Sequence, residues 1–556
     1  MNPIRHHGQR PGVRAGLTRR GFLAGAAAVG GGVIAGSMLA GCSGAQRPST
    51  TLGTGPVGGS GKPLPQLTWA ISGDIVSLDP ARAFDFNSGV LVGNVTESLF
   101  RLDPAGKPSP NLATSYATPT PTTLVLQLRN GVKFHDGSPM TAEDVAYSLS
   151  RNKSPDVGSY VGYFFDRVTS IVATGPSEVT ISLSAPDDRL VPALGTTAGA
   201  IVSRAFMEHN GARAGTPSVG IVGTGPYRFV SWRQGESATL ERNPDYWNFA
   251  GRTMAVERFV VQVLTQESTI VQGLQSGSID GAFESALSGQ AIAHLASTPR
   301  LQLNRVDGAG TMLLSYNEAT PPFNDPRVRN AVSLCIDKAG ILQSTWGGIG
   351  KLINSMSPPS LWTYDNAQFA KAYASYPDYK PDLIKAKSLV EQANAVGASS
   401  DIWVADDPTK AQALSISQSA AQIGLTLNVH SVTSDDLLRA TQNSGGPSPY
   451  GLAIYPVVAD LMDPYGILGF NYTTTGSTNG MSYSNKAVDG DLFTSITDPV
   501  NRAGLIISAE KLIYDDAPAS VLYTPDACLI HNARFGGYEM RPLWSWDSYV
   551  ADFSGN

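Results

Sequence analysis

The chain has 556 residues, 42% hydrophobic and 15% charged, enough apolar material to bury large cores and too much for a disordered polymer. The first 41 residues hold five Arg and no acid, which leaves 35 basic against 46 acidic residues, a net charge of −11, on the remainder. That balance argues against nucleic-acid binding, three Cys exclude a disulfide scaffold, and seven scattered His give neither HExxH nor a Cys/His zinc spacing. The length itself predicts roughly two to four domains.

In chain order, the first element is a leader. Residues 1–20 are polar and Arg-bearing, residues 21–41 are uncharged and include seven Gly, and Leu39-Ala40-Gly41-Cys42 follows. That is the order of a signal peptide. Thr18-Arg19-Arg20-Gly21-Phe22-Leu23 resembles a twin-arginine export signal, and Leu39 to Cys42 resembles a lipobox, which makes Cys42 the expected lipid attachment and first mature residue. An uncleaved anchor is the alternative, since 21 uncharged residues just span about 30 Å of hydrocarbon, but the Gly content weakens such a helix. Residues 42–65 are rich in Gly, Ser, Thr and Pro and read as a flexible tether reaching about 26 Å.

Beyond the tether the reading is mixed α and β. Leu124, Leu126 and Leu128 alternate as one face of a strand, Asn130-Gly131 suggests a turn, and Val132-Lys133-Phe134 is expected to return as a hairpin. Thr141 and Asp144 form a capping box ahead of a helix with Val145 and Leu149 on its apolar stripe. Strands follow at Val179 to Leu183, Tyr227 to Phe229 and Ala238 to Leu240. From about 310 the rhythm changes. Strand Thr311 to Tyr316 precedes a helix capped by Asp325 with Pro326 at its first position, whose stripe places Cys335 in a core. Strand 402–404, helix 409–423, strand 425–429, helix 435–442 and strand 452–454 then alternate as an α/β lobe.

Catalytic signatures are sparse. Ser150 and Lys153 match S-x-x-K without S-D-N or K-T-G, Gly350-Lys351 lacks the first Gly of a phosphate loop, and Gly223-Thr224-Gly225 lacks the third Gly of a dinucleotide fingerprint. His135-Asp136 lies between a strand and a helix cap, where Asp commonly bonds backbone N–H groups, so turn formation is expected rather than metal or acid–base chemistry. Cys335 and Cys528 are expected as two free thiols. No catalytic residue, metal site or cofactor is assigned.

Several longer blocks carry a resemblance. Ser77-Leu78-Asp79-Pro80, the run Leu128 to Val145 (LRNGVKFHDGSPMTAEDV), Gly223-Thr224-Gly225-Pro226-Tyr227, Arg242 to Trp247 (RNPDYW) and Pro322 to Arg329 (PFNDPRVR) occur in this order. Together they resemble the family 5 extracellular solute-binding proteins, the dipeptide- and oligopeptide-binding subunits of bacterial ABC importers. The resemblance implies an α/β, periplasmic-binding-protein-like fold: two lobes joined by crossover strands, with a hinge and an interlobe ligand cleft. The implied division is a signal peptide over 1–41, a tether over 42–65, lobe I over 66–309 with a candidate inserted subdomain at about 111–221, lobe II over 310–512, and a return to lobe I over 513–556.

Peptide binders of this family carry a segment like G-W-x-A-D-x-x-D-P, whose first Asp pairs with the ligand's α-ammonium. Pro456-Val457-Val458-Ala459-Asp460-Leu461-Met462-Asp463-Pro464 matches it, which implies Asp460 as the amine ligand. Val457 stands where Trp is common, so an aromatic wall is missing from this segment. Phe84, Asp85 and Phe86, after Asp79-Pro80, are further implied ligand contacts. The implied activity is binding without chemistry: peptides held between closing lobes and delivered to a membrane permease, by a monomer lipid-anchored outside the cytoplasmic membrane, with no nucleic acid and no cofactor. The alternatives are a non-peptide solute (an oligosaccharide, metal complex or haem) and an exported hydrolase.

Overall fold

The structure is a computed structural model that describes residues 59–83, 85–103, 105–377, 380–442 and 448–556. The leader, Cys42 and Phe84 lie outside the described residues. Strand Leu64–Ile71, a nearly all-apolar run, pairs in parallel with Val256–Val263 at the centre of a seven-stranded sheet. The spatial order is Tyr227–Arg233, Ser237–Arg242, Val256–Val263, Leu64–Ile71, Gly281–Phe283, Ala527–Asn532, Leu301–Val306. A late piece of chain thus sits between two strands made nearly 250 residues earlier. Its packing explains why. Trp69 is fully buried and lies 5.5–5.9 Å, ring to ring, from Phe259, Phe283, Tyr549 and Phe553, so the carboxyl-terminal residues supply half of the aromatic shell around it.

The second sheet has six strands in the order Gly350–Lys351, Ala519–Pro525, Gly310–Tyr316, Leu452–Val458, Ser399–Val404, Thr426–Ser431. Helices Pro326–Cys335, Lys338–Trp346 and Asp407–Gln422 bury Val328, Val332, Cys335, Ile341, Ala413 and Ile416 against it. Asp325 accepts from the Arg327 amide at 2.9 Å as the expected cap. Cys335 and Cys528 are both buried free thiols. Two short connections link the sheets: Val306 to Gly310, and Pro525 to Ala527. They run side by side; a Cβ on Gly308 would fall 2.1 Å from the Pro525 carbonyl oxygen, so only glycine allows this approach. The mixed α/β, two-lobed arrangement is the one expected from the sequence.

A third, antiparallel sheet of four strands, Ala113–Thr120, Thr123–Leu128, Glu178–Leu183 and Val168–Gly175, stands beside these. Here one expectation fails. Leu124–Leu128 pairs with its neighbours in that sheet, whereas Val132–Phe134 forms no returning strand; Lys133 makes only an isolated bridge to Pro139. The alternation of Val132 and Phe134 reflects two side chains inserted into the core from a turn-rich segment, with Gly131 and Gly137 both at positive φ. The Thr141–Asp144 capping box is present, with Val145 and Leu149 buried. Among the described residues no helix is long and apolar enough to cross a membrane.

Candidate functional site

Strand Leu452–Val458 lies inside the six-stranded sheet, antiparallel to Gly310–Tyr316 and parallel to Ser399–Val404. Its apolar run ends at Val458, the Ala459 amide closes on the Ala309 carbonyl at 2.9 Å, and the chain turns through Asp460 into helix Tyr465–Asn471. The two acids of this turn are treated differently. Asp463 caps the turn, accepting from the Tyr465 amide at 2.8 Å, and its other oxygen accepts from Arg502 at 2.9 Å. Among the described residues no cation stands beside Asp460. Its one hydrogen-bond partner among them is the Tyr163 hydroxyl, donated to Oδ2 from the short helical turn Gly162–Phe165 that leads into strand Val168–Gly175 of the four-stranded sheet.

Burial pushes the Asp460 carboxyl up to about 6, the Tyr163 hydrogen bond opposing that rise. The residue nevertheless keeps part of its surface open, so the group is crowded by protein without being sealed from a ligand. Around it stand aromatic rings. Tyr163 lies 4.3 Å from Phe164 and 4.6 Å from Phe470, the latter edge-on at 63°. These rings arrive from other elements than the one in which the sequence shows Val457, which is itself buried. Two guanidinium groups that pack around the following helix already have partners: Arg189 pairs bidentately with Asp187 and lies 5.3 Å above the Tyr465 ring, and Arg502 pairs with Asp463. Beside the turn, Met462 helps line a polar cleft with Arg101, Asn111, Arg541, Trp546 and Asp547.

The other implied contacts sit elsewhere. Asp85 is the N-cap of helix Phe86–Val95, one carboxylate oxygen accepting from the Ser88 amide at 2.8 Å and the other from the Ser88 hydroxyl at 2.6 Å. Phe86 is 39% exposed and stacks on Trp544 at 5.8 Å. No hydrogen bond or ring contact joins either residue to Asp460.

The sequence blocks are mostly scaffold. Glu97, buried, accepts from Thr224 Oγ1 at 2.8 Å, Tyr246 Oη at 2.8 Å and Trp247 Nε1 at 2.9 Å, so GTGPY and RNPDYW converge on one carboxylate. Burial raises its pKa while these donors oppose the rise. Asp79 of SLDP pairs bidentately with Arg151 at 3.0 and 2.5 Å. The His135 ring contacts the Gly225 carbonyl at 2.9 Å, and Asp136 accepts from the Ser138 amide and hydroxyl. Lys153 of the S-x-x-K match donates to the Val168 carbonyl. Among the described residues no group of three His, Cys, Asp or Glu side chains is placed to hold a metal. Sequence reasoning missed Glu97 and Tyr163; the isolated acid in Val95-Thr-Glu-Ser-Leu99 and the run Tyr163-Phe164-Phe165 were the available signals.

The family model described as bacterial extracellular solute-binding proteins, family 5 Middle, matches residues 107–479. The chain belongs to that family. As a family 5 protein it is an extracytoplasmic solute-binding component of an ABC importer. The glutathione-binding protein GsiB of Salmonella choleraesuis is 26% identical over 487 residues, 85% of this chain and 91% of the relative. Solved family 5 folds align over most of their length: the periplasmic binding protein DppA of Helicobacter pylori, in complex with the peptide STSA, has a TM-score of 0.77 at 23% identity, covering 89% of this chain and 99% of its own. The agropinic acid complex of AgaA from A. tumefaciens has a TM-score of 0.74 at 21% identity, covering 88% and 99%.

Proposed function

We propose that this family 5 protein captures peptides by their free amino terminus, with Asp460 as the carboxylate that receives the ammonium, and hands them unaltered to the permease of its importer. The carrying observation is the contrast within one turn: Asp463 is neutralised by Arg502, while Asp460, three residues earlier, has among the described residues a neutral hydroxyl as its one hydrogen-bond partner. An ammonium enclosed there loses its water, and a carboxylate without a cation compensates that loss. An extended peptide adds main-chain hydrogen bonds whose number does not depend on its sequence. The peptide-binding relatives support the class of ligand. Phe86, exposed beside Trp544, is assigned as an apolar wall for a ligand side chain, and Asp85 as the cap that fixes that helix end. The protein works as a monomer, tethered through a lipidated Cys42 after twin-arginine export, and performs no chemistry on its cargo.

Calorimetry with glutathione, dipeptides, longer peptides, their N-acetylated forms, free amino acids and oligosaccharides tests this reading. Binding of free-amine peptides that disappears on N-acetylation and on Asp460→Ala is the expected result. Equal affinity for acetylated peptides, or peptide cleavage that one substitution abolishes, overturns it. Mass spectrometry of the mature amino terminus is expected to find a diacylglyceryl group on Cys42.

A further inference from the structure

The Tyr163 hydroxyl and the Asp460 carboxylate are 297 residues apart in sequence, yet this contact is the only hydrogen bond to Asp460 among the described residues. The phenol donates to Oδ2, and Oδ1 carries no hydrogen bond. Tyr163 is itself held: Phe164 lies face-tilted at 4.3 Å and Phe470 edge-on at 4.6 Å, so the ring has little freedom to carry its hydroxyl elsewhere. Phe470 belongs to the helix that begins just after the Asp460 turn, so the same piece of chain supplies both the carboxylate and one wall of the pocket that fixes its donor.

We infer that Tyr163 is a positioning residue for the ligand amine: its hydroxyl holds one oxygen of Asp460 and turns the other toward the bound ammonium. The inference rests on the reading of Asp460 as the amine-binding group. A donor fixed at Oδ2 stabilises the ionised carboxylate and leaves Oδ1 as the oxygen free of a protein donor, which favours one ammonium over a guanidinium that bridges both oxygens. The charged surroundings are simple. Among the described residues Tyr163 is the one titratable neighbour that shifts Asp460, Tyr163 in turn faces Asp460 and Arg189, Arg189 is paired with Asp187, and the acid further along the turn, Asp463, is paired with Arg502. The carboxyl stands at about 6 with the hydroxyl in place, and losing that donor raises it.

The test uses the full-length chain and its Tyr163→Phe and Asp460→Asn variants. With Asp side chains labelled at the carboxyl carbon, the resonance lost in Asp460→Asn reports Asp460 and is expected to titrate near pH 6 in the ligand-free wild type. In Tyr163→Phe its midpoint is expected to move upward; an unchanged or lower midpoint overturns the inference. Calorimetry with glutathione as the probe is expected to show affinity about tenfold weaker in Tyr163→Phe at neutral pH, with the deficit growing as pH falls. A deficit independent of pH indicates that the ring only packs, and also overturns it. Asp460→Asn keeps the two claims apart. If that variant binds glutathione as well as wild type while the Tyr163→Phe midpoint still moves, the peptide-amine reading fails and the hydrogen-bond coupling stands.

Discussion

Two buried carboxylates in this molecule face opposite demands. Glu97 collects three donors from two distant sequence blocks, which occupy both of its oxygens. Asp460, only partly buried as a residue, has among the described residues one donor and no cation. Both are raised by burial, so a shifted pKa does not separate them; the count of satisfied lone pairs does. A carboxylate whose partners all come from its own chain is a knot in the scaffold, and one left short of partners is where a ligand supplies the remainder.

Substitutions at the two sites sharpen that contrast. Asp460→Ala carries the largest expected effect, a loss of about 3–5 kcal/mol in peptide affinity because the ligand ammonium is enclosed without a counter-charge; calorimetry reads it, and a loss below tenfold breaks the comparison. Glu97→Ala leaves three buried donors unpaired and should cost about 3 kcal/mol of stability in urea unfolding, while the folded fraction binds peptide as wild type does. Lowering the pH from 7 to 5 protonates a carboxyl near 6 and should weaken peptide binding about tenfold. The ligand-free protein shows the opposite sign. Folded Asp460 holds its proton to higher pH than the ordinary 3.8, so its contribution to stability is full below about 4 and is lost as pH rises through about 6. Asp85→Ala, which removes a helix cap, should cost about 1 kcal/mol of stability with peptide affinity unchanged; a large affinity loss would instead place that cap in ligand contact.

Legibility in the sequence followed the range of the interactions. The elements from Gly310 to Val458 were readable because each is bounded by its own caps and periodicity: Asp325 with Pro326, the alternation of strand 402–404, the helix from Asp407. The four-stranded sheet was misread because Thr123–Leu128 pairs on one side with the preceding Ala113–Thr120 and on the other with Glu178–Leu183, more than 50 residues on, and the nearer Val132–Phe134 offered a local substitute. Motif matching led to Asp460, and to Asp85 and Phe86 as well, without distinguishing a turn acid from a helix cap. The donors that decide the roles of Glu97 and Asp460 come from 127–150 and 297 residues away, and no periodicity or cap marks such a pairing.

The placement of strand Ala527–Asn532 between Gly281–Phe283 and Leu301–Val306 also bears on biosynthesis. On the ribosome, the sheet around Trp69 lacks its penultimate strand until nearly the whole polypeptide has emerged, and the aromatic shell waits longer still for Tyr549 and Phe553. The lobe around Trp69 cannot be finished as a contiguous piece of gene product, whereas the six-stranded sheet, all of it between Gly310 and Pro525, can. A translocation machinery that accepts finished, folded cargo suits such a topology, because the last residues synthesised close the first layer begun.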